Sequence, residues 1–335
     1  MRILKRCNLA MIGFGNVGRR FVRLLQEKDE ALHATHGLDW RLTGLASRRL
    51  GWLANPEGLN PDDLLADRFP APAAGNVRDW LAAAQADVLL EASSLNWRSG
   101  QPAIDHIRAA LEHGIHAVSA NKGPIVHAYE ELTALAREMR RRFLFESTVM
   151  DGTPVFSLFQ RTLPAVDLCG FRGLLNSTSN VVLTEMENGL DFDAAVRRAQ
   201  EIGVAETDPS DDLDGWDPAV KVAALARVLM GVPLKLDEIE RVGIRTLAPE
   251  AVRAARAAGK PYKLICRAER KEGRVAASVR PEQVPLTDPM AHMLGTTSCL
   301  FFDMDVFGLS IIEHKPGVVA TAYGLLADFI RAIQD

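Results

Sequence analysis

CNLAMIGFGNVGRRFVRLLQEK, residues 7–28, decides the fold. Cys7-Asn8-Leu9-Ala10-Met11-Ile12 reads as a short buried strand, and RRFVRLLQEK has the apolar spacing of a helix. Between them stands Gly13-Phe14-Gly15-Asn16-Val17-Gly18. Strand, GxGxxG turn and helix in that order form a dinucleotide-binding fingerprint. Gly13 permits the tight turn, Gly15 lets backbone approach a pyrophosphate, and Gly18 lets helix pack close to strand. The helix N-terminus then faces the phosphates. A common glycine turn would explain the glycines alone, but not the elements on both sides of them.

Working outward, Arg41–Ala46 is a second strand, ending in Ser47-Arg48-Arg49. An acid here would bind the ribose hydroxyls of NAD; a hydroxyl and two guanidinium groups suit a 2′-phosphate and favour NADP. The alternative is a solvated basic turn. Residues 51–80 are an excursion rich in Pro, Ala and Asp from which no chemistry is read. Ala86–Ala92 is a third strand, with Ser93 and Ser94 at its carboxyl end, where a parallel sheet meets its cofactor. A helix over 101–113, a strand over 116–120, a helix over 129–141 and a strand over 142–146 complete the alternation. Lys122 also stands at a strand's carboxyl end, either as a site cation or as a surface lysine before a helix. The expectation is an α/β fold: a Rossmann-type doubly wound parallel sheet.

At Glu146-Ser147-Thr148-Val149-Met150-Asp151-Gly152-Thr153-Pro154 the pattern changes. Glu146, Asp151 and several carbonyls are hard oxygen donors of the kind that hold Na⁺, K⁺ or Ca²⁺, unless this is an ordinary polar crossover. Asn176-Ser177-Thr178-Ser179-Asn180 follows a strand over 168–175, as helix capping or as a site for a polar substrate. Helix 192–201 delivers the chain to GVAETDPSDDLDGWDPAVKVAALARVLMG, residues 203–231. Five acids crowd its turn, Asp217 precedes Pro218 as a helix cap, and Lys221 lies one turn on among apolar residues. Lys221 is either a snorkelling lysine paired with Asp217 or an acid/base group among carboxylates. Strands near 263–268, 275–279, 298–305 and 308–313 are grouped rather than alternating. They suggest an α+β domain on a mixed sheet, followed by a terminal helix. The expected domains are 1–148, with the helix over 318–335 returning to it, and 149–317 for substrate binding and dimerisation.

The chain has 335 residues, 47% of them hydrophobic and 24% charged, with a net charge of −4. That balance fits a globular protein and argues against nucleic-acid binding. No apolar run is long enough to cross a bilayer, and the N-terminus reads as a strand rather than a signal peptide. Cys7, Cys169, Cys266 and Cys299 are far apart, so buried free thiols in a reducing cytoplasm are expected.

Five motifs in order, GFGNVG (13–18), SANKGP (119–124), ESTVMDGTP (146–154), GLLNSTSN (173–180) and AETDPSDDLDGWDPAVK (205–221), resemble those of homoserine dehydrogenase. That family interconverts L-aspartate 4-semialdehyde and L-homoserine with NAD(P), on the route to threonine, methionine and isoleucine. The resemblance implies that Lys221 is the proton donor and Lys122 a second active-site lysine. Glu206 and Asp217 would bind the amino acid, with Asp212, Asn176 and Thr178 beside them. Glu146, Val149, Asp151 and Thr153 would form a loop for Na⁺ or K⁺, partly through backbone carbonyls. Gly317 would lie against the nicotinamide, and a homodimer built on the second domain is implied.

Lys315 replaces a usual glycine, Asn176-Ser177-Thr178 replaces Asn-Gly-Thr, and Met150-Asp151 alters the cation loop. The chain ends without a regulatory extension or fused kinase, so threonine feedback through such a domain is not expected. Competing readings are a related dehydrogenase of altered substrate and an NADP(H)-binding sensor without catalysis. An acylating aldehyde dehydrogenase would need an activated cysteine, and none of the four has an evident activating context.

Overall fold

The computed structural model describes residues 4–334 and divides into two compact units, Met1–Ser157 with Gly317–Asp335, and Leu158–Pro316. The turn after residue 148 thus stays with the first unit as far as Ser157. The first unit holds β1 (Lys5–Ile12), β2 (Leu38–Ser47), β3 (Gly51–Ala54), β4 (Val88–Glu91), β5 (His116–Ser119) and β6 (Phe143–Leu144). They form one sheet in the order β3-β2-β1-β4-β5-β6, parallel except for β3, which pairs antiparallel with β2 at the edge. Successive residues of a strand point to opposite faces, and β1 shows what this achieves. Cys7, Leu9 and Met11 enter one apolar cluster with Phe21, Val22 and Leu25, whereas Ala10 and Ile12 enter another with Trp80, Leu81 and Ala110. A sheet buried on both faces is the physical content of a doubly wound fold. The terminal helix, Val318–Gln334, returns Ala322, Leu325, Leu326 and Phe329 to the first of these clusters.

The excursion after β2 is structured, with β3 and helices Pro61–Leu65 and Val77–Ala84, the helices capped by Asn60 and Asn76. A short helical turn from Gly123, where the Asn121 side chain accepts from the Gly123 amide at 2.9 Å and Pro124 fits the first turn, precedes the helix expected over 129–141. The two meet at a kink at Ala128, and the second ends at Glu138.

The second unit holds β7 (Leu168–Leu174), β8 (Glu240–Arg241), β9 (Tyr262–Lys271), β10 (Arg274–Gln283), β11 (Ser298–Met304) and β12 (Gly308–Glu313). Their order is β12-β11-β7-β9-β10-β8, antiparallel throughout except for β8 beside β10. Helix Trp216–Met230 packs on β9 and β10, burying Val220, Val222, Ala223 and Leu225. Among the described residues no helix is long and apolar enough to cross a membrane. Cys7, Cys266 and Cys299 are buried free thiols, but Cys169 is only half-buried.

Candidate functional site

In the first unit the three fingerprint glycines differ in what a side chain would meet. A Cβ on Gly13, whose φ is +98°, would strike the Ala92 carbonyl, and one on Gly18 would strike the Gly13 carbonyl. One on Gly15 would meet nothing within 4 Å. Gly13 and Gly18 are therefore required by the fold itself, while Gly15 leaves open room where a pyrophosphate belongs. Helix Asn16–Glu27 begins beside it with no side-chain cap and no acid in its first turn. Its first N–H groups are thus left for an anion, and the loop fits a dinucleotide. Val17 packs against the core, and Phe14 is buried edge-on to Phe69.

The other expected cofactor contacts are mixed. The Ser47 hydroxyl accepts from the Leu50 amide at 3.1 Å, and Arg48 and Arg49 are exposed beyond it. Ser93 is used locally: its hydroxyl donates to buried Glu91, which also meets His106 at 2.7 Å. Asn121 binds the Ser93 and Ser94 carbonyls at 3.2 and 3.4 Å, tying the ends of β4 and β5 together. Glu91, His106 and Asn121 were not singled out in the sequence, since nothing local marks residues that meet only through strand pairing. Lys122 is half-buried at the start of helix Gly123–Glu138.

In the turn expected to hold a cation through side chains and backbone carbonyls, both carboxylates have protein partners. Glu146 is 4% exposed and accepts from the Val155, Phe156 and Ser157 amides at 2.7, 2.7 and 2.9 Å. Arg331 lies 3.4 Å from the same carboxylate. Asp151 accepts from the Gly317 amide at 2.5 Å and the Thr321 hydroxyl at 2.9 Å, fixing the entry to the terminal helix. Both carboxylates are thus committed to protein donors, and the Thr153 carbonyl accepts from the Val155 amide at 2.9 Å. Among the described residues no group of three or more His, Cys, Asp or Glu is placed to hold a metal. Gly317 has φ +139°, and Lys315, in place of the usual glycine, takes a left-handed φ of +58°.

In the second unit a compact polar cluster forms at the start of helix Trp216–Met230. Lys221 donates to the Leu175 carbonyl at 2.6 Å and lies 3.3 Å from Asp217. The Asn176 amide donates to Asp212 at 2.6 Å and to Asp217 at 3.2 Å, while its oxygen caps helix Ser177–Glu187. The Thr178 hydroxyl lies beside Asp212 and donates to the Val204 carbonyl at 3.4 Å. Burial and the neighbouring Asp217 charge push the Asp212 carboxyl up, partly offset by Asn176, Thr178 and Lys221. Two carboxylates therefore share one lysine in a half-buried site, a charge balance that a second cation would relieve.

Asp217 does not cap its helix. The cap position is Gly215, in a left-handed conformation with φ +83°, so the helix begins at Trp216 and Asp217 lies in its first turn. Glu206 is exposed on the preceding turn, outside the hydrogen bonds of this cluster. Asp208 closes a local turn with Ser210, and Asp214 pairs with Arg245 at 2.6 Å. Burial pushes the Cys266 thiol up to about 12 and Cys299 up to about 11, so neither is a nucleophile.

Lys263 on β9 was missed. It is fully buried, donating to the Met293 carbonyl at 2.8 Å and Asn180 at 3.2 Å, and burial lowers its ammonium to about 8. The folded protein therefore binds this proton more weakly than the unfolded chain does. The charge penalty is full below pH 8 and fades as pH rises towards the unfolded value near 10.5. Urea unfolding of wild type and Lys263→Met at pH 7 and pH 10 should show wild type gaining stability relative to the variant by a few kcal/mol. Parallel curves would refute a depressed ammonium.

With this geometry in place, the chain can be set beside known proteins. The family described as homoserine dehydrogenase matches residues 154–330, and homoserine dehydrogenase, NAD binding domain, matches 13–146. An NAD(+)-dependent homoserine dehydrogenase of Pseudomonas canavaninivorans is 36% identical, over 97% of this chain and 96% of its own. A homoserine dehydrogenase of Sulfurisphaera tokodaii is 32% identical over 98% and 99%. The crystal structure of a homoserine dehydrogenase from Thiobacillus denitrificans superposes with a TM-score of 0.85 at 26% identity, covering 99% of this chain and 74% of that one. The chain belongs to the homoserine dehydrogenase family, oxidoreductases that carry an NAD-binding domain.

Proposed function

We propose that this chain interconverts L-homoserine and L-aspartate 4-semialdehyde, with Lys221 as proton donor and acceptor. The observation that supports this most is the excess of carboxylate over ammonium at Asp212, Asp217 and Lys221. An α-ammonium answers that excess, held by Asp217 with Asp212 in support, and Asn176 keeps the two acids in register. Glu206 joins them only if its exposed turn folds inward on substrate. Bound, the cofactor supplies or takes a hydride at the reacting carbon. In reduction, Lys221 stabilises the developing alkoxide and gives it a proton. In oxidation it takes that proton back, for which it must first be neutral. Lys122 acts as a second cation for substrate or cofactor, and Gly317 leaves room for the nicotinamide.

Three finer points complete the reading. A monovalent cation, if it orders the 146–153 turn, does so through the carbonyls of Glu146, Val149, Asp151 and Thr153. The melting temperature should then rise in KCl or NaCl above that in choline chloride of equal ionic strength, and equal values would remove the cation. A homodimer built on the second unit belongs to this reading as what the family resemblance implies. The sensor reading has no use for a proton-donating lysine set among acids. Purified protein given L-homoserine and NAD or NADP should produce reduced nicotinamide, and tight cofactor binding without turnover would favour the sensor.

A further inference from the structure

The unassigned excursion after β2 delivers one acid to the arginines at the strand's end. Asp67 follows helix Pro61–Leu65 with a left-handed φ of +58°. Its carboxylate pairs with Arg19, of the helix after the glycine turn, and lies 3.8 Å from Arg49. Arg19 is fixed further by the Phe14 ring, 4.7 Å from its guanidinium carbon, and by the Leu65 carbonyl at 3.4 Å. Arg19, Arg49, Leu50, Asp67 and Phe69 line a hollow of 380 Å³. The Asp67 side chain is 59% exposed, open to whatever enters.

In this fold the ribose next to the adenine lies beyond the carboxyl end of the second strand, where an acid accepts from its hydroxyls and arginines take a 2′-phosphate. We propose that Asp67 is the residue that sets cofactor preference, favouring NAD(H) over NADP(H). This rests on the dinucleotide-linked reading above. Asp67 occupies the arginines with its own negative charge and offers a carboxylate where a phosphate would have to settle. Arg48 and Arg49 alone point to NADP; with Asp67 beside Arg19 and Arg49, a 2′-phosphate meets a like charge and two guanidinium groups already paired. A ribose hydroxyl instead finds an acceptor. No local pattern reveals this, because Asp67 is brought to the site by a short helix from a segment without periodicity.

The test compares wild type with Asp67→Asn, since Asn tolerates a left-handed φ and keeps the shape. NADH and NADPH are titrated by fluorescence without substrate, and kcat/KM is measured for NAD and NADP with L-homoserine. Wild type should bind NADH more tightly than NADPH, and D67N should shift the ratio towards the phosphorylated form by about tenfold or more. Adding Arg49→Met to D67N should erase most of that gain. Wild-type preference for NADPH, or an unchanged ratio in D67N, would overturn the proposal. Absence of homoserine oxidation with either cofactor would count against the catalytic reading instead, while the binding ratio still decides the role of Asp67.

Discussion

Lys221→Ala should lower kcat by about 10²-fold or more, the scale of lost general acid–base help, with NADH affinity nearly intact. The cause is local. Lys221 lies one turn into a helix whose other residues here, Val220, Val222 and Ala223, are buried. Its own amine is drawn out of that packing to the Leu175 carbonyl and Asp217. Alanine is a good helix former, so the helix should persist while the proton and the positive charge are lost. Arginine should not restore activity, because a guanidinium group does not release its proton near neutrality. A near-normal kcat in the alanine variant would remove Lys221 from the chemistry. Cofactor binding is the internal control, since the glycine turn proposed to hold the dinucleotide belongs to the other unit.

Asp217→Asn should raise the KM for L-homoserine by roughly 30-fold or more, the lower end for removing one partner of a desolvated charge pair. The amide keeps the shape of the side chain but deletes the charge proposed to meet the substrate ammonium. It also leaves Lys221 with one acidic neighbour fewer, so a smaller fall in kcat accompanies the KM change. Asp212→Asn should act in the same direction and more weakly, because burial and Asp217 already hold that carboxyl towards its neutral form. An unchanged KM in both variants would place the ammonium elsewhere, with Glu206 the next residue to replace.

The sequence makes the local parts of this account legible. A strand, a glycine turn and a helix in immediate succession can be read because each rests on contacts within about twenty residues of chain. The Gly18 role then follows from local backbone sterics, while Gly13 is constrained by its own positive φ and by Ala92, a neighbour that only strand pairing supplies. Cluster membership was also readable where the helix period places Asp217 and Lys221 on one face. The helix start was misplaced for a physical reason: Asp before Pro is a good cap, but Gly215 turns the chain two residues earlier. The carboxylates at 146 and 151 looked like ion ligands because their role as acceptors for the amides of 155–157 and of Gly317 depends on folding. Asp67, Lys263 and Glu91 were illegible for a related reason. Each gains its meaning from a residue brought near by tertiary structure, and a lone acid or lysine in a strand or loop has no pattern of its own.

A crystal structure with reduced cofactor and L-homoserine tests the central claim most directly. The substrate ammonium should lie within hydrogen-bonding distance of the Asp217 or Asp212 carboxylate, and its hydroxyl should meet Lys221 Nζ. A homoserine bound with its hydroxyl away from Lys221, or with its ammonium held by neither acid, would contradict the account.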